Sequence, residues 1–173
     1  MSIFEDLFTY HPNRIESGQR EWMKGIIADV HPSVKIGKNS FVWSFAIICE
    51  NVVIGDNCVV GSGAYIGKNC KIGNNVRIQH GAFIVDHMDF PDNVFVGPCA
   101  VTTNDKYPVA GNKDYENLPP ILEERCSLGA NCTVLPGVKI GSKAMIGAGG
   151  VVTKDVESTD VVIGSYAKSL EKV

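Results

Sequence analysis

The stretch that decides the fold runs from Ile54 to Ile78 and reads IGDNCVVGSGAYIGKNCKIGNNVRI. An isoleucine or valine returns every six residues along it, at Ile54, Val60, Ile66, Ile72 and Ile78. Glycine follows the aliphatic residue at most of these repeats, and asparagine often stands two residues after the glycine. Because glycine and asparagine tolerate a left-handed backbone, each hexad predicts a short strand that ends in a tight corner.

The same period extends outward from this stretch in both directions. An apolar residue occupies every sixth position from Val30 to Val96, and again from Leu122 to Val152. The fifth position of the hexad is mostly small, so each strand presents one aliphatic and one small side chain inward. Three such strands close a triangular coil of about 18 residues, and stacked coils pair their backbones about 4.8 Å apart. The sequence therefore predicts an all-β parallel β-helix of about six coils over residues 30–157.

The six cysteines fit the same repeat. Four of them occupy the small inward position, which predicts core packing for Cys58, Cys70, Cys126 and Cys132. Cys49 and Cys99 fall at corner positions. Since the spacings are irregular and no CxxC pair exists, we expect neither a disulfide framework nor a metal site.

Composition and charge exclude several classes of protein. The chain has 173 residues, of which 45% are hydrophobic and 20% charged, with a formal net charge of −3. These values favour one folded domain and give no reason to expect nucleic-acid binding. No window holds the roughly 18 consecutive apolar residues of a membrane span, and the first residues lack a basic region typical of a signal peptide. We therefore expect a cytoplasmic protein without a membrane partner.

The [LIV]-G-x-N-[small]-x hexad resembles that of the hexapeptide-repeat acyltransferases, over about residues 30–168. The resemblance implies a left-handed helix, a homotrimer and acetyl-CoA as co-substrate. Four segments resemble those of nucleotide-linked amino-sugar N-acetyltransferases: Ile78–Gly81, Asn93–Pro98, Thr103–Pro108 and Ser127–Val134. In several of those enzymes the first segment reads Q-N-N, where this chain has Gln79-His80-Gly81.

Three segments depart from the repeat. Residues 103–121 are polar and proline-containing, and the phase resumes after them, which predicts an insertion loop projecting from one corner. Family resemblance implies that this loop reaches a neighbouring subunit and helps to wall the active site. Residues 1–29 lack the hexad, and the spacing of Trp22, Met23, Ile26 and Ile27 predicts a helix that caps the first coil. Residues 158–173 are expected to form a tail with a short final helix.

Candidate catalytic residues cluster between Ile78 and His87. Acyl transfer from a thioester to an amine requires a general base, and a neutral imidazole suits that role near pH 7. By phase His80 and Asp86 take the third hexad position and His87 the fourth, so all three face outward at corners. We favour His80 as the base, with His87 as the alternative and Asp86 orienting either ring. The reaction could also be substrate-assisted. Backbone N–H groups near Gly97 would hold the oxyanion.

Coenzyme A is expected in the groove between adjacent helices of a trimer, beside the last coils. Five residues there combine backbone amides with little side-chain bulk, namely Gly97, Gly129, Ala130, Gly147 and Ala148. Lys168 matches the lysine of the family's G-x-P-A-K stretch, which lies close to the coenzyme phosphates, although Tyr166 replaces its proline. The loop residues Asn104, Asp105 and Tyr107 are candidates for sugar contacts. No metal is expected, because the zinc enzymes on this scaffold need three histidines and only His80 and His87 lie in the central coils.

These features predict an enzyme that moves acetyl from acetyl-CoA to the amino group of a dTDP- or UDP-linked amino sugar, for lipopolysaccharide or other glycan synthesis. Two alternatives stay open: an O-acetyltransferase of a sugar or small molecule, and a non-catalytic structural subunit with the same repeat. The sequence identifies neither the sugar nor the position of its amine.

Overall fold

The computed structural model describes residues 8–9, 23–25 and 27–164, and every regular element in this part of the chain is a strand. The strands are β1 (Phe8–Thr9), β2 (Met23–Gly25), β3 (Asp29–Val30), β4 (Lys35–Ile36), β5 (Phe41–Val42), β6 (Ile47–Ile48), β7 (Val53–Ile54), β8 (Val59–Val60), β9 (Tyr65–Ile66), β10 (Lys71–Ile72), β11 (Arg77–Ile78), β12 (Phe83–Ile84), β13 (Asp89–Phe90), β14 (Phe95–Val96), β15 (Val101–Thr102), β16 (Ile121–Leu122), β17 (Ser127–Leu128), β18 (Thr133–Val134), β19 (Lys139–Ile140), β20 (Met145–Ile146), β21 (Val151–Val152) and β22 (Val161–Val162).

The strands stack into the three walls of a parallel β-helix. The first sheet has the order β1-β2-β5-β8-β11-β14-β17-β20-β22, and only β1 pairs antiparallel. The second sheet has the order β21-β18-β15-β12-β9-β6-β3, and the third is split into β13-β10-β7-β4 and β16-β19. Arg77 pairs with Val59 below and Phe95 above, one coil away in each direction. The predicted all-β parallel helix is therefore confirmed.

The hexad positions have the burial that the period predicts. Ile48, Ile66 and Ile84 are almost completely buried in one aliphatic column, as are their equivalents in the other two walls. The small residues of the fifth position complete the same core, and Cys58, Cys70, Cys126 and Cys132 are free, buried thiols. The predicted core role of these four cysteines is confirmed, and the described part of the chain contains six free cysteines and no disulfide.

Most corners turn on a residue with positive φ at the fourth hexad position, such as Asn57 (57°) or Asn75 (57°). We name the corners by the walls they join. The first corner, between the first and second sheets, includes residues 43–46, 61–64, 79–82, 97–100, 129–132 and 147–150. The second corner, between the second and third sheets, includes residues 49–52, 67–70, 85–88 and 135–138. The third corner, between the third and first sheets, includes residues 37–40, 55–58, 73–76, 91–94, 123–126 and 141–144.

The helix is longer than the predicted six coils: eight parallel strands succeed one another in the first sheet, from β2 to β22. The hexad pattern does not predict the first coil, because Lys24 occupies the position of the aliphatic residue. Lys24 nevertheless pairs with Val42 of the next coil. The hexad pattern does not predict the last coil, because this coil is two residues shorter than the others. Val161 therefore pairs with Met145 at a spacing of 16 residues.

The helix predicted around Met23 is wrong, since Met23–Gly25 is a strand of the first sheet. Pairing with an existing sheet edge satisfies the backbone there, and this tertiary interaction overrides the local spacing of apolar residues. The predicted final helix lies mainly in residues 165–173, which are outside the described residues.

The third sheet is interrupted where the insertion leaves the helix. The loop occupies residues 103–120, and β16 begins at Ile121. Elsewhere the residue after each strand donates its N–H to the coil above, as Gly73 does to the Phe90 carbonyl at 2.8 Å. Pro91 has no N–H to continue this ladder, so β13 and β16 lie side by side without pairing. A groove opens at this break.

The buried thiols make the stability of the helix sensitive to alkali. Burial raises the pKa of Cys70 and Cys126 from 9.0 to about 12, and that of Cys132 to about 11. An unfolded chain loses these protons above pH 9, whereas the folded protein keeps them. The free energy of unfolding should therefore fall above pH 9 by about 1.4 kcal/mol per pH unit for each thiol. Urea unfolding from pH 7 to 10.5 measures the slope.

Two variants separate burial from the mere presence of a thiol. Cys126→Ala should make the decline above pH 9 shallower, because it removes one buried proton-binding group. Cys99→Asn changes an exposed thiol at a corner that tolerates asparagine, and it should leave the slope unchanged. Equal slopes for the wild type and Cys126→Ala would contradict the assignment.

Candidate functional site

His80 lies on the first corner with its side chain exposed to solvent. Its neighbour Gly81 takes the left-handed conformation (φ 67°) that turns the chain. The His80 carbonyl accepts the Cys99 N–H at 2.9 Å, which fixes the backbone to the coil above. The imidazole itself makes no hydrogen bond to any residue that the structure describes. Both ring nitrogens are thus open to a ligand.

The three predicted cofactor glycines lie above His80 on the same corner, but their backbone amides are occupied. Gly97 donates to the Leu128 carbonyl at 2.7 Å, Gly129 to Ile146 at 2.8 Å and Gly147 to Val162 at 2.7 Å. A Cβ on Gly97 would approach the Ala130 nitrogen to 2.6 Å, and one on Gly129 would approach the Ile146 oxygen to 2.5 Å. Close stacking of the coils therefore explains these two glycines.

This geometry corrects the expectation of an oxyanion hole near Gly97. The Gly97 N–H is used within the helix, Pro98 has none, and the Cys99 N–H points to the His80 carbonyl. The corner directly above His80 therefore offers no free amide donor. Free amide donors are found in the next two coils. The Ala130 N–H has no acceptor among the described residues, and neither does the Ala148 N–H one coil further.

The second corner carries Asp86, and its carboxylate is already engaged. Asp86 Oδ1 accepts the Lys68 N–H at 3.0 Å. The same contact recurs on the third corner, where Asp56 accepts the Lys38 N–H at 2.7 Å. Asp86 thus stabilises a corner, and neither histidine ring is hydrogen-bonded to it within the chain.

His87 occupies the left-handed position of the second corner (φ 62°) at the top of a column of asparagines. Asn51 Nδ2 donates to Asn69 Oδ1 at 3.1 Å, and Asn69 Nδ2 lies 3.0 Å from His87 Nε2. On the other side of the ring, Asn117 Nδ2 of the loop lies 3.1 Å from Nδ1. His87 therefore joins the loop to the helix, with both ring nitrogens in contact with amide groups.

The base of the loop is closed by a polar cluster around Asn117. Its Oδ1 accepts from Asn104 Nδ2 at 2.6 Å and from the Tyr115 hydroxyl at 3.1 Å. Partial burial, together with Asp105 and Asp86, raises the pKa of Tyr115, which keeps this phenol a donor. Among the predicted sugar contacts, Asn104 belongs to this cluster and Asp105 accepts the Tyr107 N–H at 2.9 Å. Tyr107 is 68% exposed.

The groove at the break in the third sheet has a volume of about 680 Å³. It lies between the sheet and the loop, and Lys71, His87, Asp89, Pro91 and Pro120 contribute to its lining. The hexad gave no signal for Lys71 or Asp89, because outward residues of the walls are unconstrained by the core. His80 lies on a different corner and does not line this groove.

The predicted site residues therefore fall into two groups within one chain. His80 and the predicted coenzyme residues share the first corner, whereas Asp86, His87 and the loop lie at the second corner, across the second sheet. Lys168 is outside the described residues. Within the described part of the chain, no group of three or more His, Cys, Asp or Glu is placed to hold a metal ion, and no helix has the length and apolarity to cross a membrane.

Family models match this chain in both halves of the helix. A model described as bacterial transferase hexapeptide (six repeats) matches residues 33–68 and 51–86, and one described as hexapeptide repeat of succinyl-transferase matches residues 119–154. The 2,3,4,5-tetrahydropyridine-2,6-dicarboxylate N-acetyltransferase of Staphylococcus aureus is 36% identical over 80 residues, which cover 46% of this chain. The chain spans less than half of the curated relatives it matches, 31% of that enzyme and 42% of a Schizosaccharomyces pombe homologue.

Solved structures share the fold. A point mutant of perosamine N-acetyltransferase from Caulobacter crescentus, in complex with CoA and GDP-perosamine, is 25% identical with a TM-score of 0.51, covering 84% of this chain and 54% of that one. WeeI from Acinetobacter baumannii is 23% identical with a TM-score of 0.55, covering 82% and 54%. The acetyltransferase domain of PglB from Neisseria gonorrhoeae is 22% identical with a TM-score of 0.52, covering 88% and 58%.

The contacts of His87 predict that its ring fastens the loop to the helix. His87→Gly keeps the left-handed corner but removes the contact with Asn117, so trypsin should cleave the loop at Lys106 and Lys113 several-fold faster. Asn93→Gly makes the same kind of change at the third corner, away from the loop, and should leave the cleavage rate unchanged. Equal acceleration in both variants would show that His87 does not hold the loop.

Proposed function

Since the chain belongs to the hexapeptide-repeat transferases, we propose that it transfers acetyl from acetyl-CoA to the amino group of a nucleotide-linked amino sugar. The observation that carries the proposal is the unpaired His80 ring, which shares one corner with the free Ala130 and Ala148 amides. The similarity to perosamine N-acetyltransferase, crystallised with CoA and GDP-perosamine, supports this substrate class. The dTDP- and UDP-linked sugars are the acceptors we favour.

In this proposal His80 is the general base. The amine nitrogen of the sugar attacks the thioester carbonyl, and His80 accepts the proton that the nitrogen loses. The C–S bond then breaks and the coenzyme leaves as a thiol after protonation. We assign the free Ala130 N–H, two coils above His80, as the oxyanion donor on the coenzyme side of the site, and the Ala148 N–H one coil further as a donor to the pantetheine arm.

The separation of the two groups of residues supports a site shared between copies of the chain. In a homotrimer, the first corner of one subunit would face the loop and second corner of its neighbour, bringing Tyr107 to the sugar beside His80. Three outward side chains of the second sheet are apolar and exposed in the single chain, namely Ile47, Phe83 and Val151. Packing between subunits would cover them. Lys168 remains a candidate for the coenzyme phosphates, and we place the reaction in the cytoplasm, in lipopolysaccharide or other glycan synthesis.

Release of coenzyme A thiol from acetyl-CoA tests the reaction. We expect turnover with one or more dTDP-, UDP- or GDP-linked amino sugars, and an acetamido product detected by mass spectrometry. Matched sugars with a hydroxyl in place of the amine should not react. Turnover only with hydroxyl acceptors would indicate an O-acetyltransferase, and neither turnover nor coenzyme A binding would favour a structural subunit.

Two matched variants test the base. His80→Gln should lower kcat by about 10²-fold or more, because the amide cannot accept the amine proton. His87→Gln should act mainly on the KM of the sugar, through the loop. A retained kcat in His80→Gln together with a large loss in His87→Gln would move the base to the second corner.

A bulky side chain on the row of free amides should obstruct the coenzyme. Ala148→Leu is expected to raise the KM for acetyl-CoA at least tenfold, because Ala148 is exposed and lies on the proposed pantetheine path. Lys154→Leu places the same side chain at the same hexad position of the second corner and should not change this KM. Equal effects of the two substitutions would argue against coenzyme binding along the first corner.

A further inference from the structure

Two aromatic side chains stand on the first corner, two coils below His80. Phe45 is 63% exposed and Trp43 is 44% exposed, although both are large apolar residues. The Trp43 ring packs edge-to-face on Phe41, with 4.7 Å between ring centroids and an interplanar angle of 64°. This contact orients Trp43, and Phe45 projects beside it.

Phe45 occupies a backbone conformation that disfavours it. Its φ is 65°, in the left-handed region, where a bulky side chain is strained. Asparagine or glycine fills this hexad position at most other corners, for example Asn57 and Gly63. Neither core packing nor the corner itself requires a phenylalanine here, since the side chain points to solvent. Among the described residues with positive φ, Phe45 is the large apolar side chain, and its exposure at this position indicates a use for the ring.

The coil above Phe45 leaves space over the ring. A Cβ on Gly63 would meet no atom within 4 Å, so the space beside this corner is open. Ser62 adds only a hydroxyl, which donates to the Ser44 carbonyl at 2.7 Å. The Ser62 N–H has no acceptor among the described residues. Coils rise about 4.8 Å each, so this open shelf separates Phe45 from His80 by roughly 10 Å.

We propose that Phe45, supported by Trp43, is the stacking platform for the base of the nucleotide-linked acceptor. An exposed aromatic ring binds a nucleobase through its π-face, whichever base it is. The acceptor would cross the Gly61–Gly63 shelf and present its sugar amine to His80. Because the free Ala130 and Ala148 amides lie on the other side of His80, the two substrates approach the base from opposite ends of one corner.

This inference rests on the proposed function for the role of the sugar, but binding of the nucleotide is measurable by itself. Titration calorimetry with UDP, dTDP and GDP should show a site for at least one of them in the wild-type protein. Phe45→Asn should weaken that binding at least tenfold. The variant should also be at least as stable to heat, because asparagine suits the left-handed conformation. Phe45→Tyr should retain the binding.

Lys143→Asn is the matched control. Lys143 has the same hexad position and nearly the same φ (61°) at the third corner, far from the platform. The substitution should relieve the same backbone strain without changing nucleotide binding. Coenzyme A affinity should be equal in the wild type, Phe45→Asn and Lys143→Asn.

Four results would overturn the inference. The first is that the wild type binds no nucleoside diphosphate, and the second is that Phe45→Asn binds it as well as the wild type does. The third is that Phe45→Asn loses affinity for coenzyme A instead of the nucleotide, and the fourth is that Phe45→Asn changes the sedimentation mass of the protein. The third would place the adenine of the coenzyme on the ring, and the fourth would make Phe45 a subunit contact. Phe45-dependent nucleotide binding without acetyl transfer to any amino sugar would support the platform and refute the proposed reaction.

Discussion

The structure depends on one backbone interaction that recurs at its corners. The residue at the fourth hexad position turns the chain with a positive φ and donates its N–H to the third-position carbonyl of the coil below, as Asn131 does to Pro98 at 2.9 Å. The same residue therefore bends one coil and attaches it to the next. Since its side chain points outward, the core places no demand on it beyond tolerance of the left-handed conformation. Corners can consequently differ in chemistry while the walls remain alike.

The corners do differ, and the difference lies in what happens to the third-position N–H. On the third corner, Asp56 and Asn74 cover the N–H of the coil below with a side-chain oxygen, and Asp86 does the same on the second. The first corner has serine, histidine, proline or alanine at this position above residue 43, and the Ala130 and Ala148 N–H groups have no acceptor among the described residues. Capped corners hold coils together. An uncapped corner lacks those contacts, and its backbone N–H groups are available as hydrogen-bond donors. A ligand with amide and phosphate groups would bind to these donors.

Much of this architecture can be predicted from the sequence, because the aliphatic residue at every sixth position and the glycine or asparagine at the corners are local signals. The core cysteines follow from the same register. The hexad period misses one coil at each end, because Lys24 replaces an aliphatic residue and the spacing before Val156 is two residues short. Both segments still pair with the neighbouring strand, since backbone pairing does not require the hexad residues. The availability of an amide cannot be obtained from residue type. Gly97 looks as suitable as Ala130 in the sequence, yet only the second keeps its N–H free. Second-position residues such as Gly97 donate to the coil above, whereas in the described part of the helix a third-position N–H is engaged only where a side-chain oxygen of a neighbouring coil accepts it.

The second corner adds a constraint on how the loop can behave. The His87 ring has an amide group on each side, from Asn69 below and Asn117 above. A neutral imidazole has one donor and one acceptor nitrogen, so one of these asparagines must turn its oxygen to the ring while the other donates. The choice propagates downward to Asn51 and outward to Tyr115, because each amide has a further partner. For a neutral ring, the tautomer of His87 and the hydrogen-bond direction at the base of the loop are therefore coupled through these contacts.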